Sequence, residues 1–305
     1  MEKEVRRDSL YAWVLAARPK TLAAALAPVM VGCAVAAWLG AFRPLPALLC
    51  ALFAELMQIA SNLINDVYDY LKGNDRGDRL GPRRACAQGW ISPGKMKLGI
   101  ALVLALAMMT GAPLALYGGR AMLAVAALCV VCAYMYSAGP YPLAARGWGD
   151  ALVLVFFGVV PVGFTAYVQA GSWTPQSTFA GLAVGACVDL LLMVNNFRDR
   201  DQDRISGKKT LIARFGAEFG LRCYLALGGL ACALALCLIP HGMFWAGLLP
   251  LLFLVPHYRV WSMIAAIYEG SALNRCIGLS SRNILIFSAL LTAGILIDAA
   301  MKPAL

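Results

Sequence analysis

Two stretches concentrate residues able to do chemistry: "NLINDVYD" at 62–69 and "NNFRDRDQD" at 195–203. On a helix, Asn62, Asp66 and Asp69 share a face, with Asn65 one turn before Asp69. Asn195, Asp199 and Asp203 likewise share a face, flanked by Asn196. Each helix would project a ladder of hard oxygen donors. Carboxylates this close repel one another and are costly near lipid, so they need a cation or a wet cavity to stay charged. Magnesium answers that need, because it is usually held by one or two carboxylates plus substrate phosphates and water. Two facing ladders suit two such ions with a diphosphate between them. Bases accompany the acids: Lys72, Arg76, Arg79, Arg83 and Arg84 follow the first cluster, and Arg198, Arg204, Lys208 and Lys209 surround the second. Topogenic loops are basic anyway, but that does not explain the acids among them. A solvated charged loop is the plainer reading of both clusters; the asparagines and first aspartates weigh against it, because they lie within or at the ends of apolar runs.

The elements that must position these ladders are membrane spans. The chain has 305 residues, 61% hydrophobic and 14% charged, against roughly 45–50% and 25% in soluble domains. Nine apolar runs are long enough to cross a bilayer, at about 21–42, 45–70, 96–118, 120–137, 149–170, 178–198, 220–239, 243–264 and 283–301. That topology puts only Arg43, Arg120 and Lys302, of 26 lysines and arginines, on the side opposite the N-terminus. The positive-inside rule then makes the N-terminus and the polar loops at about 70–96 and 198–220 cytoplasmic, in a cell (inner) membrane. The expected fold is all-α, with nine transmembrane helices capped by those loops in one domain spanning 1–305.

Residues 1–20 read as an interfacial amphipathic helix, with Leu10, Trp13, Val14 and Ala17 at helical spacing and a break at Pro19. A basic leader feeding a full-length span lacks the cleavage pattern of a signal peptide, so it is expected to be retained. The net charge of +10 follows from loop asymmetry and anionic lipid, and does not point to nucleic acid. Most of the ten cysteines lie in apolar runs, where they act as small hydrophobes. Cys129 and Cys132 form a CxxC with no second pair, and His241 and His257 are isolated. The one internal echo is the pair of polar clusters, each closing an apolar span on the same side, which points to a site between related halves. Between them, "YMYSAGPYPLAARGWGD" at 134–150 brings interfacial aromatics, normally a belt, whose ring faces can also stabilise a carbocation.

Taken together, "ARPKTL", "SNLINDVYDYLKGND" with "RLGPRR", "YSAGPYPLAARGWGDALVLVFFG" and "NNFRDRDQDRISGKKTLIARFG" resemble the UbiA-type intramembrane prenyltransferases, over nearly the whole chain. The "GND" form, with Gly73 where the commoner motif continues to a further aspartate, and the pattern "NNxRDxxxDxxxGKxT" resemble the branch that acts on 1,4-dihydroxy-2-naphthoate. The resemblance implies nine transmembrane helices around a central cavity open to lipid, and two magnesium ions, one at Asn62, Asn65, Asp66 and Asp69 and the other at Asn195, Asp199 and Asp203. It implies Lys72, Arg79, Arg198 and Lys208 on diphosphate oxygens, Tyr136 near the allylic carbon, and a substrate contact at Asp150. Asn62 and Asn195 would touch substrate as well as metal. The implied partners are a polyprenyl diphosphate, 1,4-dihydroxy-2-naphthoate and membrane lipid, and the implied product is a demethylmenaquinone, formed with loss of diphosphate and carbon dioxide. Rival readings are another acceptor (4-hydroxybenzoate, homogentisate, a chlorophyllide or haem) and, in a different class, an ion-coupled transporter.

Overall fold

The computed structural model describes residues 5–73 and 80–302, and among them every regular element is helical. The short α1, Leu10–Ala17, is capped by the Ser9 side chain. The chain then turns at Arg18, whose φ of 52° is left-handed, into α2, Pro19–Trp38. The break therefore falls one residue before Pro19, which instead starts α2, where its missing N–H costs nothing. In α1, Leu10 is 81% exposed and Val14 also faces outward, while Ala12 and Ala16 are buried. Trp13 lies where a Cβ on Gly99 would touch its ring.

Seven further helices are long and apolar enough to cross a membrane. They are α3, Pro44–Leu71; α4, Pro93–Gly118; α6, Gly149–Ala170; α7, Pro175–Ile205; α8, Ala217–His241; α9, Phe244–Ile267; and α10, Ser271–Ala300. With α2 the described residues hold eight such helices rather than the expected nine. The fourth expected span is α5, Ala121–Ser137, only 17 residues long and so roughly 26 Å, at the lower limit for a 30 Å hydrocarbon layer. It stops because Gly139, with a φ of 78°, and Pro140 follow at once.

Two expectations fail at helix ends. The loop expected at 198–220 begins later, because α7 continues to Ile205 and keeps the whole second cluster helical. The last span begins near 271 instead of 283, because the polar residues Ser280 and Asn283 and the thiol Cys276 face the interior and are fully buried. Hydropathy averaging reads these polar groups as water-facing, although packing, not water, surrounds them.

Helix α7 is the axle of the bundle. Its apolar window is 72% buried, against 22% for α4, and α2, α6, α8 and α10 pack around it. Thr174 caps its start, with Ser177 returning the bond in a capping box. Small residues let α6 lie directly on α7: a Cβ on Gly158 would stand 2.4 Å from the Gly181 carbonyl oxygen and 2.6 Å from the Gly185 Cα. That close approach needs glycine on both sides. At the contact, α6 widens into a π-helical turn over Val155–Val159. By contrast, α4 turns a stripe of Leu98, Leu102, Leu106 and Met109 outward, as a lipid-facing helix should.

Candidate active site

One cavity of about 630 Å³ runs between α2, α3, α4, α5, α6 and α7 and has two chemically distinct parts. Its polar end is built where α3 and α7 terminate, and its body is walled by apolar residues such as Val29, Phe53, Leu114 and Phe164.

On α3, Asn65 and Asp69 face the cavity. The Asn65 amide donates to Asp69 Oδ2 at 3.2 Å and to the Ser137 hydroxyl at 3.1 Å. Arg84 bridges the same two residues, donating to Asn65 Oδ1 at 2.6 Å and to Asp69 Oδ2 at 3.0 Å. Arg18 reaches Asn65 Oδ1 as well, at 3.3 Å. Asn62 also lines the cavity, but its amide is committed to the Ala17 carbonyl and the Thr21 hydroxyl, at 2.8 and 2.9 Å. It fixes α3 to the corner between α1 and α2. Lys72 donates to the Ser137 carbonyl at 2.9 Å. Burial pushes its ammonium below the usual lysine range, with Lys208 adding to the effect and Asp69 opposing it.

Asp66, expected to hold a metal ion, does not line the cavity. It is 1% exposed, and its two oxygens accept the backbone N–H groups of Ala85 and Cys86, both at 2.9 Å. Its helical position points it at the returning loop. A carboxylate saturated by two buried amides has strong partners already, and it pins the segment that carries Arg84.

On α7, Asn195, Arg198, Asp199 and Asp203 all line the cavity. Arg198 grips Asp199 through two bonds of 2.7 and 2.6 Å. Its remaining fork donates to Asn274 at 2.7 Å, and Asn274 in turn donates to the Leu80 carbonyl. Asp203 pairs with Lys208 at 3.4 Å. Asn195 donates back to the Leu191 carbonyl. Arg200, two residues from Arg198, faces the other way: it donates to the Phe197 and Tyr268 carbonyls and stacks on both rings. Tyr136 and Asp150 line the cavity beside the polar end. Arg79 lies outside the described residues.

The structure thus brings together every expected site residue within the described segments except Asp66. Three residues escaped selection from sequence. Arg84 was one basic residue among several, Arg18 sat in a leader read as an anchor, and Asn274 lay in a stretch read as a loop. Arg18 and Arg84 had a signal, their places in "ARPKTL" and "RLGPRR"; Asn274 had none.

The described side chains at the polar end include Arg18, Lys72, Arg84, Arg198 and Lys208 against Asp69, Asp199 and Asp203, a positive excess suited to a polyanion. Among the described residues no group of three or more His, Cys, Asp or Glu forms a metal cage. Asn65 with Asp69, and Asn195 with Asp199 and Asp203, fit instead a hard cation that completes its shell with ligand oxygens. The whole cavity therefore matches an amphiphile with a polyanionic head and a hydrocarbon body.

Comparison with known proteins converges on the same description. The model of the UbiA prenyltransferase family matches residues 25–274. The chain is similar to the 1,4-dihydroxy-2-naphthoate octaprenyltransferase of Escherichia coli (strain K12), at 38% identity over 76% of this chain and 77% of that protein. It is 35% identical to the protein of the same name from Haemophilus influenzae, over 76% and 79% of the two chains. In fold it is similar to a UbiA homologue from Archaeoglobus fulgidus bound to GPP and Mg2+, with a TM-score of 0.68 at 21% identity, over 95% of this chain and all of the other.

Proposed function

The chain belongs to the UbiA prenyltransferase family, and on that premise we propose that it transfers a polyprenyl group from polyprenyl diphosphate to 1,4-dihydroxy-2-naphthoate. Diphosphate and carbon dioxide are released, and the product is demethylmenaquinone in its reduced form. The observation that carries this reading is one cavity with a charged end and an apolar body, flanked by facing asparagine–aspartate ladders. The names of the bacterial relatives support the acceptor.

Asn65 and Asp69 would hold one magnesium ion, and Asn195, Asp199 and Asp203 a second. When bound, magnesium neutralises charge gathering on the diphosphate as the allylic carbon–oxygen bond breaks. Lys72, Arg84, Arg198 and Lys208 orient the diphosphate oxygens and stabilise the same charge through donors fixed in advance. Several are already held by the carboxylates, so binding exchanges one set of anionic partners for another. Tyr136 turns an aromatic ring toward the allylic cation. The apolar body excludes water that would otherwise capture it. The charged end faces the cytoplasm of a cell (inner) membrane, because the basic residues gather on that side, and the tail reaches the cavity from lipid.

The test is turnover by purified protein with magnesium, labelled polyprenyl diphosphate and each acceptor in turn. Product from the naphthoate is expected; product from 4-hydroxybenzoate alone would overturn the acceptor, and no magnesium-dependent diphosphate release with any acceptor would overturn the enzyme.

A further inference from the structure

The acids of the polar end all have cationic partners: Asp69 has Arg84, Asp199 has Arg198, and Asp203 has Lys208. Two other carboxylates have none. Asp150 opens α6 and lines the cavity. Asp189 lies in the middle of α7, 4% exposed. The Oδ1 atom of each is buried without a hydrogen-bond partner, and among the described residues neither forms a salt bridge.

The helix register brings them together. A Cβ on Gly181 would meet the Val159 backbone, and one on Gly185 the Leu154 backbone; nearer the polar end a Cβ on Gly149 would meet Leu192. The helices run antiparallel, so one turn beyond Gly185 on α7 lies opposite one turn before Leu154 on α6. Those positions are Asp189 and Asp150. Tyr136 of α5 lines the same cavity beside Asp150, and Cys223 lies on α8, which packs against α7. The Tyr136 hydroxyl is 3.5 Å from where a Gly149 Cβ would stand. Two unpaired charges in such surroundings are costly, and facing carboxylates relieve that cost when one of them binds a proton.

We propose that Asp150, backed by Asp189, takes a proton from the acceptor hydroxyl during alkylation and returns it during decarboxylation. This rests on the naphthoate reading above. The ring carbon bearing the carboxylate forms a bond to the allylic carbon as the bond from that carbon to diphosphate breaks. The neighbouring 1-hydroxyl becomes a carbonyl, and its proton passes to Asp150, leaving the pair neutral. The carbon–carboxylate bond then breaks, its electrons restore the aromatic ring, carbon dioxide leaves, and the proton returns to the oxygen. No net proton and no oxidant are needed. Asp150 is the catalytic residue and Asp189 a positioning residue that shares its proton.

The test uses full-length protein in detergent or vesicles. Asp150→Asn is expected to lower kcat on 1,4-dihydroxy-2-naphthoate about 100-fold, within the range of a lost acid–base group, with the KM for polyprenyl diphosphate unchanged. Methylating the acceptor 1-hydroxyl is expected to slow the wild type to a similar degree and to slow Asp150→Asn no further. Asp189→Asn is expected to move the acidic limb of the pH–kcat profile that reports Asp150 to higher pH, because the shared proton that favours the ionised form of Asp150 is gone. Wild-type kcat in Asp150→Asn, or further slowing of that variant by methylation, overturns the proposal. If Asp150→Asn does not fold, an unmoved limb in Asp189→Asn overturns it. Absence of wild-type turnover on the naphthoate instead overturns the acceptor reading.

Discussion

The ends of α3 and α7 carry similar strings of asparagine and aspartate, yet the structure uses them differently. On α7 the ladder faces the cavity throughout, and each acid is matched by a base a few residues away in sequence. On α3 the ladder splits. Asp69 faces the cavity, while Asp66, one turn earlier, turns to the loop amides of Ala85 and Cys86. Its base, Arg84, comes from that same loop. The second half of the site is thus nearly self-contained on one helix, whereas the first depends on a returning segment held in place by the buried carboxylate of Asp66. Spacing alone places a carboxylate on a helix face; what packs against that face decides whether it meets a ligand or a backbone amide.

The comparison can be broken most sharply at the two acids that face the cavity. Asp69→Ala and Asp199→Ala are each expected to lower magnesium-dependent diphosphate release at least ~100-fold, with melting temperatures close to wild type. Parallel loss of stability and turnover would make them structural and erase the difference from Asp66. The opposite pattern is expected for Asp66→Ala. Removing the acceptor of two charge-assisted bonds should cost about 3 kcal/mol in unfolding measurements, and turnover per folded molecule should stay well above that of Asp69→Ala. Arg84→Ala tests the dependence of the first half on its loop, with an expected rise of about 10-fold in KM for the prenyl diphosphate and a smaller fall in kcat. The smallest effect is expected at Cys129, which lines the cavity as an apolar surface. Cys129→Ala should leave turnover within about 2-fold, and inactivation would restore a thiol role.

Much of this organisation could be read from residue types. Long apolar runs ending in hard oxygen donors required a membrane bundle with a charged end, and the distribution of lysine and arginine set the expected orientation. What could not be read is informative in physical terms. The different fates of Asp66 and Asp69 depend on where a loop returns, which periodicity does not encode. The early start of α10 depends on Ser280 and Asn283 being buried by neighbours, while hydropathy treats them as exposed. Asn274 was hidden because it lies at the start of that helix, in a stretch read as a loop. Asp189 raised no signal, because a lone aspartate within an apolar run acquires meaning only from the residue facing it across the α6–α7 contact.

That contact has a mechanical consequence. With Gly158 against the Gly181 carbonyl and the Gly185 Cα, α6 and α7 touch through their backbones, without flexible side chains between them to absorb a displacement. Any sliding of one helix on the other drives main chain into main chain, so the two behave as a stiff beam. Elsewhere the cavity is lined by side chains such as Phe53 of α3, Leu114 of α4 and Met122 of α5, which can turn about their own bonds without moving a helix. A long chain seated there would therefore be accommodated by rotating those side chains and not by parting α6 from α7.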